Sequence, residues 1–213
     1  MRCTITDIYE RYGIPEALQM HMFRVAGIAD QVLSAWHGPS VDRKTLMRVL
    51  LLHDMGNIVK MDHEPDETQE AQTVRATYIA KFGTDDHRVS REIAKELGLS
   101  DEEISLMDGK VFIRNDETVS SHDYARKIGA YADQRAAPGG VTPLIMRLRE
   151  AQHRYRDKPE SSMNNPRTEM LIACAVEIER QVMEHCHLEP EDITDATVAL
   201  FIKDLRTFVI GVP

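Results

Sequence analysis

The sequence predicts an all-α fold. Three observations lead there. Apolar residues recur at three- and four-residue spacing along nearly the whole chain. Residues that start and stop helices flank those runs. No stretch alternates between apolar and polar as a half-buried strand does. With no internal repeat and no segment of low complexity, the 213 residues are expected to form a single helical domain.

Residues 4–12 make a short helix that Gly13 closes, and Pro15 suits the start of the next. Over 16–36, Leu18, Met22, Val25, Ile28, Ala29, Val32 and Leu33 form one apolar stripe. His21 lies beside it, and Arg24, three residues on, shares the face of His21. Gly38, Pro39 and Ser40 make a turn. Asp42 then caps a helix carrying Leu46, Met47, Leu50 and His53. Gly56 and Asn57 end or bend that helix, and 57–67 reads as a charged loop with Lys60, Asp62, His63 and Glu64.

A helix over 68–82 stops at Gly83. Asp85 opens another, through His87, Val89, Ile93, Ala94 and Leu97, and Gly98 closes it. Ser100 and Glu103 match a capping box. Residues 112–121 read as a polar connector. A helix over 122–135 buries Tyr124, Ile128, Tyr131 and Ala132, and the run from Ala137 to Gly140 breaks the chain. Pro143 starts a helix with Leu144, Ile145, Leu148 and Ala151. After a loop over 157–165, Pro166 opens the first of two longer amphipathic helices, 167–185 and 191–210.

The net charge of −9 argues against binding a nucleic-acid polymer, which needs a basic face. A small phosphorylated ligand held by a metal and a few basic side chains remains compatible with it. No run of about 18 apolar residues is present, so no membrane span is expected, and no secretory signal pattern is seen. Cys3, Cys174 and Cys186 stand far apart without a C-x-x-C, which suits a reducing, cytoplasmic setting with no disulfide framework. The balance of charge fits a monomer or a homodimer.

Chemistry concentrates in 49–57, where Val49, Leu50, Leu51 and Leu52 run straight into His53-Asp54 and then Gly56. A buried carboxylate is costly unless something positive pairs with it. A divalent metal answers that need, because imidazole and carboxylate both ligate one. The local context also fits a core histidine beside a capped aspartate. The other such pair, His122-Asp123, follows Ser120 and Ser121 and reads as a helix start. His185-Cys186-His187 sits at a helix end, where a cation is favourable without any metal. Asp133 lies in a small, apolar helical segment and needs a partner, which Arg126 or Arg135 could also provide. His122 precedes Asp133 by eleven residues, about 16 Å along a continuous helix, so the two cannot bind one ion.

Taken in order, His21, His53-Asp54 and Asp133 resemble the H…HD…D signature of the HD-domain superfamily of metal-dependent phosphohydrolases. The stretch from His21 to Ala26 is similar to that family's first-histidine helix. His53-Asp54-Met55-Gly56 resembles its HD-x-G turn, 85–99 the helix after it, and the run from Tyr131 to Arg135 the final-aspartate helix. The resemblance covers about 15–150. It implies an HD-type helical bundle, with 151–213 as a C-terminal helical extension packed on it. It further implies that His21, His53, Asp54 and Asp133 hold one divalent ion, for which Mn, Fe, Co, Ni, Zn and Mg are all admissible. Metal-activated water would then cleave a phosphoester of a nucleotide or similar small phosphorylated metabolite. Asp54, Arg24 and Lys60 are the expected catalytic residues, with Arg24, Lys60 and Arg135 neutralising phosphate charge. His87, Asn57 and Arg135 are expected to line the site.

This chain also departs from the pattern. Asn57 stands where many HD proteins carry Lys, and where the HD-x-x-E branches, the deoxynucleotidases and guanosine-tetraphosphate hydrolases, carry their acid or base. No Gly-Tyr-Pro follows, which does not support the cyclic-di-GMP phosphodiesterase branch. Asp62, His63 and Glu64 are left as candidates for the acid or base. His87, 33 residues after Asp54, suits a second-metal ligand, but a second metal needs another histidine and His122 does not fit. A single metal is therefore expected. Two other readings stand beside hydrolysis: a metal-bearing nucleotide sensor without turnover, motivated by the missing acid, and a di-iron oxygenase that uses His87.

Overall fold

Most helix starts among the described residues fall where short polar side chains satisfy the free N–H groups of a first turn. The computed structural model describes residues 2–61, 68–157, 163 and 165–211. Strand β1 (Arg2–Thr4) leads into α1 (Ile5–Arg11), where Thr4 and Asp7 form a reciprocal capping box. α2 (Glu16–Ser34) follows Pro15, and α3 (Arg43–Leu50) is capped by the Asp42 carboxylate. After a 3-10 turn (Met55–Lys60) come α4 (Gln69–Phe82), capped by Thr68, and α5 (Asp86–Glu96), capped by Asp85. α6 (Asp101–Gly109) has the Ser100–Glu103 capping box. A short 3-10 turn (Phe112–Arg114) joins α7 (Asn115–Ser120), and Asp123 caps α8 (Tyr124–Arg135). The hairpin β2 (Ala136–Ala137) and β3 (Gly140–Val141) leads to α9 (Leu144–Tyr155). α10 (Thr168–Met183), α11 (Asp195–Leu205), capped by Thr194, and β4 (Val209–Gly211) complete the order. Each side-chain cap is worth about 0.5–2 kcal/mol.

The all-α expectation holds, and α2 is its spine. Met22, Phe23, Val25, Ala26, Ile28, Ala29 and Val32 are all buried along it. α3, α8 and α11 pack around it. Gly27 lets α11 come close, because a Cβ there would lie 2.9 Å from the Val198 side chain. The buried cluster runs without a break from Met22 and Leu50 to Leu171, Ile178, Val182, Val198 and Leu205. Polar ties fix the helices within it. Arg43 grips Asp30 through two hydrogen bonds of 2.6 Å. Asn115 and Gln134 exchange amide hydrogen bonds of 2.9 Å, and Asn115 also donates to the Leu171 carbonyl. No helix among the described residues is long and apolar enough to cross a membrane.

Several elements differ from expectation. Residues 112–121 are no loose connector: they form a 3-10 turn and α7, with Phe112, Asn115 and Thr118 buried. The last helix is shorter than 191–210. Thr194 caps it late, and beyond Leu205 the chain pairs as β4, antiparallel to β1. These strands are only two or three residues long, too short for alternation to show in the sequence. Tyr124 is half-buried rather than in the core. Pro166 lies two residues before α10 instead of in its first turn. α3 stops at Leu50, so His53 sits in the turn beyond it, and Gly56 and Asn57 belong to the following 3-10 turn.

That turn is pressed against α5. A Cβ at Gly56 would lie 2.2 Å from the Asp86 carbonyl oxygen and 2.3 Å from the Ser90 amide nitrogen, and Gly56 N–H donates to Ser90 Oγ at 3.0 Å. Gly56→Ala must push the backbones apart. It is expected to cost about 1–3 kcal/mol or more, read as a lower urea midpoint. An unchanged midpoint contradicts this packing.

Candidate metal centre

The end of α3 creates the site. Leu51 and Leu52 turn into the core, and Tyr9 donates its hydroxyl hydrogen to the Leu51 carbonyl at 2.6 Å. His53 is thereby buried and Asp54 faces inward. His21 meets them from α2 and Asp133 from α8. One ligand atom from each of the four lies within 4.8 Å of all the others.

The hydrogen-bonding roles are settled by His53. Its Nδ1 lies 2.5 Å from the Leu50 carbonyl, which can only accept, so Nδ1 carries the hydrogen and, in the neutral ring that ligates a metal, Nε2 keeps its lone pair. That Nε2 is buried without a hydrogen-bond partner. It faces Asp133 Oδ1 at 3.4 Å and Asp54 Oδ2 at 3.5 Å, acceptor against acceptor. His21 Nε2 faces the same two oxygens at 3.3 and 3.4 Å. Acceptors converging on one point with an orphaned imidazole nitrogen fit a divalent cation by the chemistry of the donor set.

Burial alone would raise the Asp54 and Asp133 carboxyls. In the ion-free site, positive charge on the imidazoles and on the Lys110 ammonium beside them outweighs it and holds both well below the usual carboxylate range. Burial likewise works against a charged His21, but its hydrogen bonds to Asp133 and Asp54 prevail and raise it to about 9.

Lys110 was not singled out from sequence. It follows α6, and its Nζ lies 2.6 Å from Asp54 Oδ1 and 3.8 Å from Asp133 Oδ2, with 8% of the side chain exposed. Its one signal was a lone lysine between Met107 and the apolar Val111-Phe112 pair. Asn57 donates its amide hydrogen to Asp54 Oδ2 at 2.7 Å. Above the four side chains opens a cavity of about 570 Å³. Asn57, Lys60 and Arg24 line it, as do Arg147 and Arg154 of α9, which sequence reasoning also missed because that helix reads as an ordinary amphipathic one. Arg24 donates to the Ala137 carbonyl at 3.1 Å and lies 3.8 Å from Asp195. Lys60 pairs with Asp86 at 2.6 Å, its side chain 59% exposed.

Two expected lining residues are elsewhere. His87 is exposed, because α5 turns Asp86, Val89, Ser90 and Ile93 inward, so Asp86 reaches the cavity in its place. Arg135 follows Asp133 by two residues, about 200° around α8, and points away from the cavity. Its buried guanidinium donates to the Tyr131 hydroxyl and to the Thr142, Pro190 and Ile193 carbonyls, clamping the chain before α11. Asp133 therefore pairs with neither Arg135 nor Arg126, which instead donates to Thr118 and Glu117. His122 is exposed at the start of α8. His185 Nε2 lies 2.9 Å from the Tyr124 hydroxyl, and among the described residues no set of three or more metal-ligating side chains converges on it. Asp62, His63 and Glu64 lie outside the described residues.

A raised folded-state value for His21 gives a signed pH dependence. In chelator, the stability from its charged form is fully present below about 6.5 and is lost as pH rises through about 9. Urea midpoints taken from pH 6 to 10 are expected to fall across that window in the wild type more than in His21→Gln. Parallel curves for the two proteins contradict the assignment.

Comparison with curated proteins and with solved structures found no match. A model of the HD domain family matches residues 18–136, from the turn of α2 that precedes His21 to the residue after α8. That span takes in more than half of the 213 residues and all four converging side chains, and the chain belongs to the HD domain family.

Proposed function

We propose that this protein is a metal-dependent phosphohydrolase that cleaves a phosphoester of a nucleotide or similar small phosphorylated metabolite. The observation that carries this is the orphaned His53 Nε2, which faces Asp54 and Asp133 beneath a cavity walled by cations. His21, His53, Asp54 and Asp133 would hold one divalent ion, which would supply Lewis-acid charge toward a phosphoryl oxygen and lower the pKa of water so that hydroxide is available as nucleophile.

The chain's own residues supply the rest. Arg24 and Arg147 donate to the Ala137 and Ala136 carbonyls, so the strand following α8 holds both guanidinium groups at the cavity wall. Planar guanidinium groups suit phosphate oxygens. Lys60, paired with Asp86, and Arg154, paired with Glu150, line the same cavity. Leu18, Phe112, Leu148 and Tyr155 offer an apolar wall to the remainder of the substrate, as a nucleobase would need. Asn57 cannot exchange a proton; it orients Asp54 instead. That amide also favours a second reading, a metal-bearing nucleotide sensor without turnover.

A panel of phosphoesters assayed with Mn(II), Co(II), Ni(II) or Mg(II) separates the two. The hydrolase reading expects phosphate release from at least one substrate, falling about 100-fold or more in Asp54→Ala. Arg147→Ala is expected to raise KM about tenfold with a smaller change in kcat. Tight nucleotide binding with no release under any ion contradicts hydrolysis and supports the sensor.

A further inference from the structure

We infer that the Lys110 ammonium holds the position a second metal ion would take, and so limits this centre to a single divalent ion. The inference rests on reading the four converging side chains as a metal centre. Asp54 turns Oδ2 toward both imidazoles, and Asp133 turns Oδ1 toward them. Each carboxylate has one oxygen left over. Both leftover oxygens face Lys110, at 2.6 Å from Asp54 Oδ1 and 3.8 Å from Asp133 Oδ2.

Paired metals sit about 3.5–4 Å apart, and a carboxylate that serves both spans them with its two oxygens. In this chain the spanning oxygen of Asp54 is already engaged. An ion bound to it would have to compete with the Lys110 ammonium for that oxygen and meet its charge at close range. Lys110 is enclosed, with Nζ held between two acids, so it is built in as a resident cation.

The ligand supply points the same way. Among the described residues, no histidine other than His21 lines the cavity, and His53 lies beneath it. His87 and His122 are exposed. Asp86, the further carboxylate of the cavity wall, is tied to Lys60 at 2.6 Å. Lys110 is thus a positioning residue: it acts through Asp54, leaving that carboxylate a single oxygen to offer a metal.

The test is bound manganese per full-length chain, measured by elemental analysis after saturation with Mn(II) and desalting. Electron paramagnetic resonance adds a check for exchange-coupled ion pairs. The wild type and Lys110→Arg are expected to hold one ion per chain with no coupled signal. Lys110→Glu, purified in Mn(II) so that its acids stay balanced, is expected to take a second ion and show the coupled signal. Two ions in the wild type would overturn the role of Lys110 and leave the metal centre standing. No ion in the wild type would overturn the centre itself, and this inference with it. A single ion in Lys110→Glu would overturn the inference alone.

Discussion

The hydrogen bond from His53 Nδ1 to the Leu50 carbonyl decides what the rest of the centre can be. It commits one ring nitrogen to donation and leaves the other, buried, with a lone pair and two carboxylates in front of it. Without an ion, that nitrogen in the neutral ring has no donor in front of it, because acceptors do not pair with acceptors. The surrounding fold brings positive charge to the acids instead. His21 and Lys110 meet different oxygens, one those that face the imidazoles and one those that do not.

Holding four such groups within 4.8 Å demands rigid supports. α2 supplies one through its buried length, and the Arg43–Asp30 pair ties it to the start of α3. α8 is held between α2, α6 and α10, and the Asn115–Gln134 amide exchange pins it one residue from Asp133. The His53-Asp54 turn is clamped from below by Tyr9 and from the side by the contact between Gly56 and α5. The same contacts that bury the core therefore set the distances at the site.

Much of this was legible in the sequence, for local reasons. Helix starts were visible because capping is a short-range interaction, as at Asp42, Asp85, Ser100 and Asp123. The candidate metal quartet was visible because His53-Asp54 ends an apolar run, Asp133 sits in an apolar helical segment, and the order His21, His53-Asp54, Asp133 resembles the HD-domain signature. What stayed hidden depends on side-chain direction across the fold. His87 and Asp86 are adjacent, and only the pitch of α5 decides which one faces the cavity. Arg135 looked like a partner for phosphate through its closeness to Asp133, yet two residues on a helix face opposite ways. Lys110, Arg147 and Arg154 reach the centre or its cavity from segments with no signature of their own.

One measurement tests the central claim most directly: a crystal structure of the protein grown with Mn(II), with anomalous scattering recorded at the manganese edge. The account predicts one anomalous peak per chain, about 2.0–2.2 Å from His21 Nε2, His53 Nε2, Asp54 Oδ2 and Asp133 Oδ1. It also predicts that Lys110 stays on Asp54 Oδ1. No peak among these four atoms, or a peak elsewhere with His53 Nε2 still unpartnered, would contradict it.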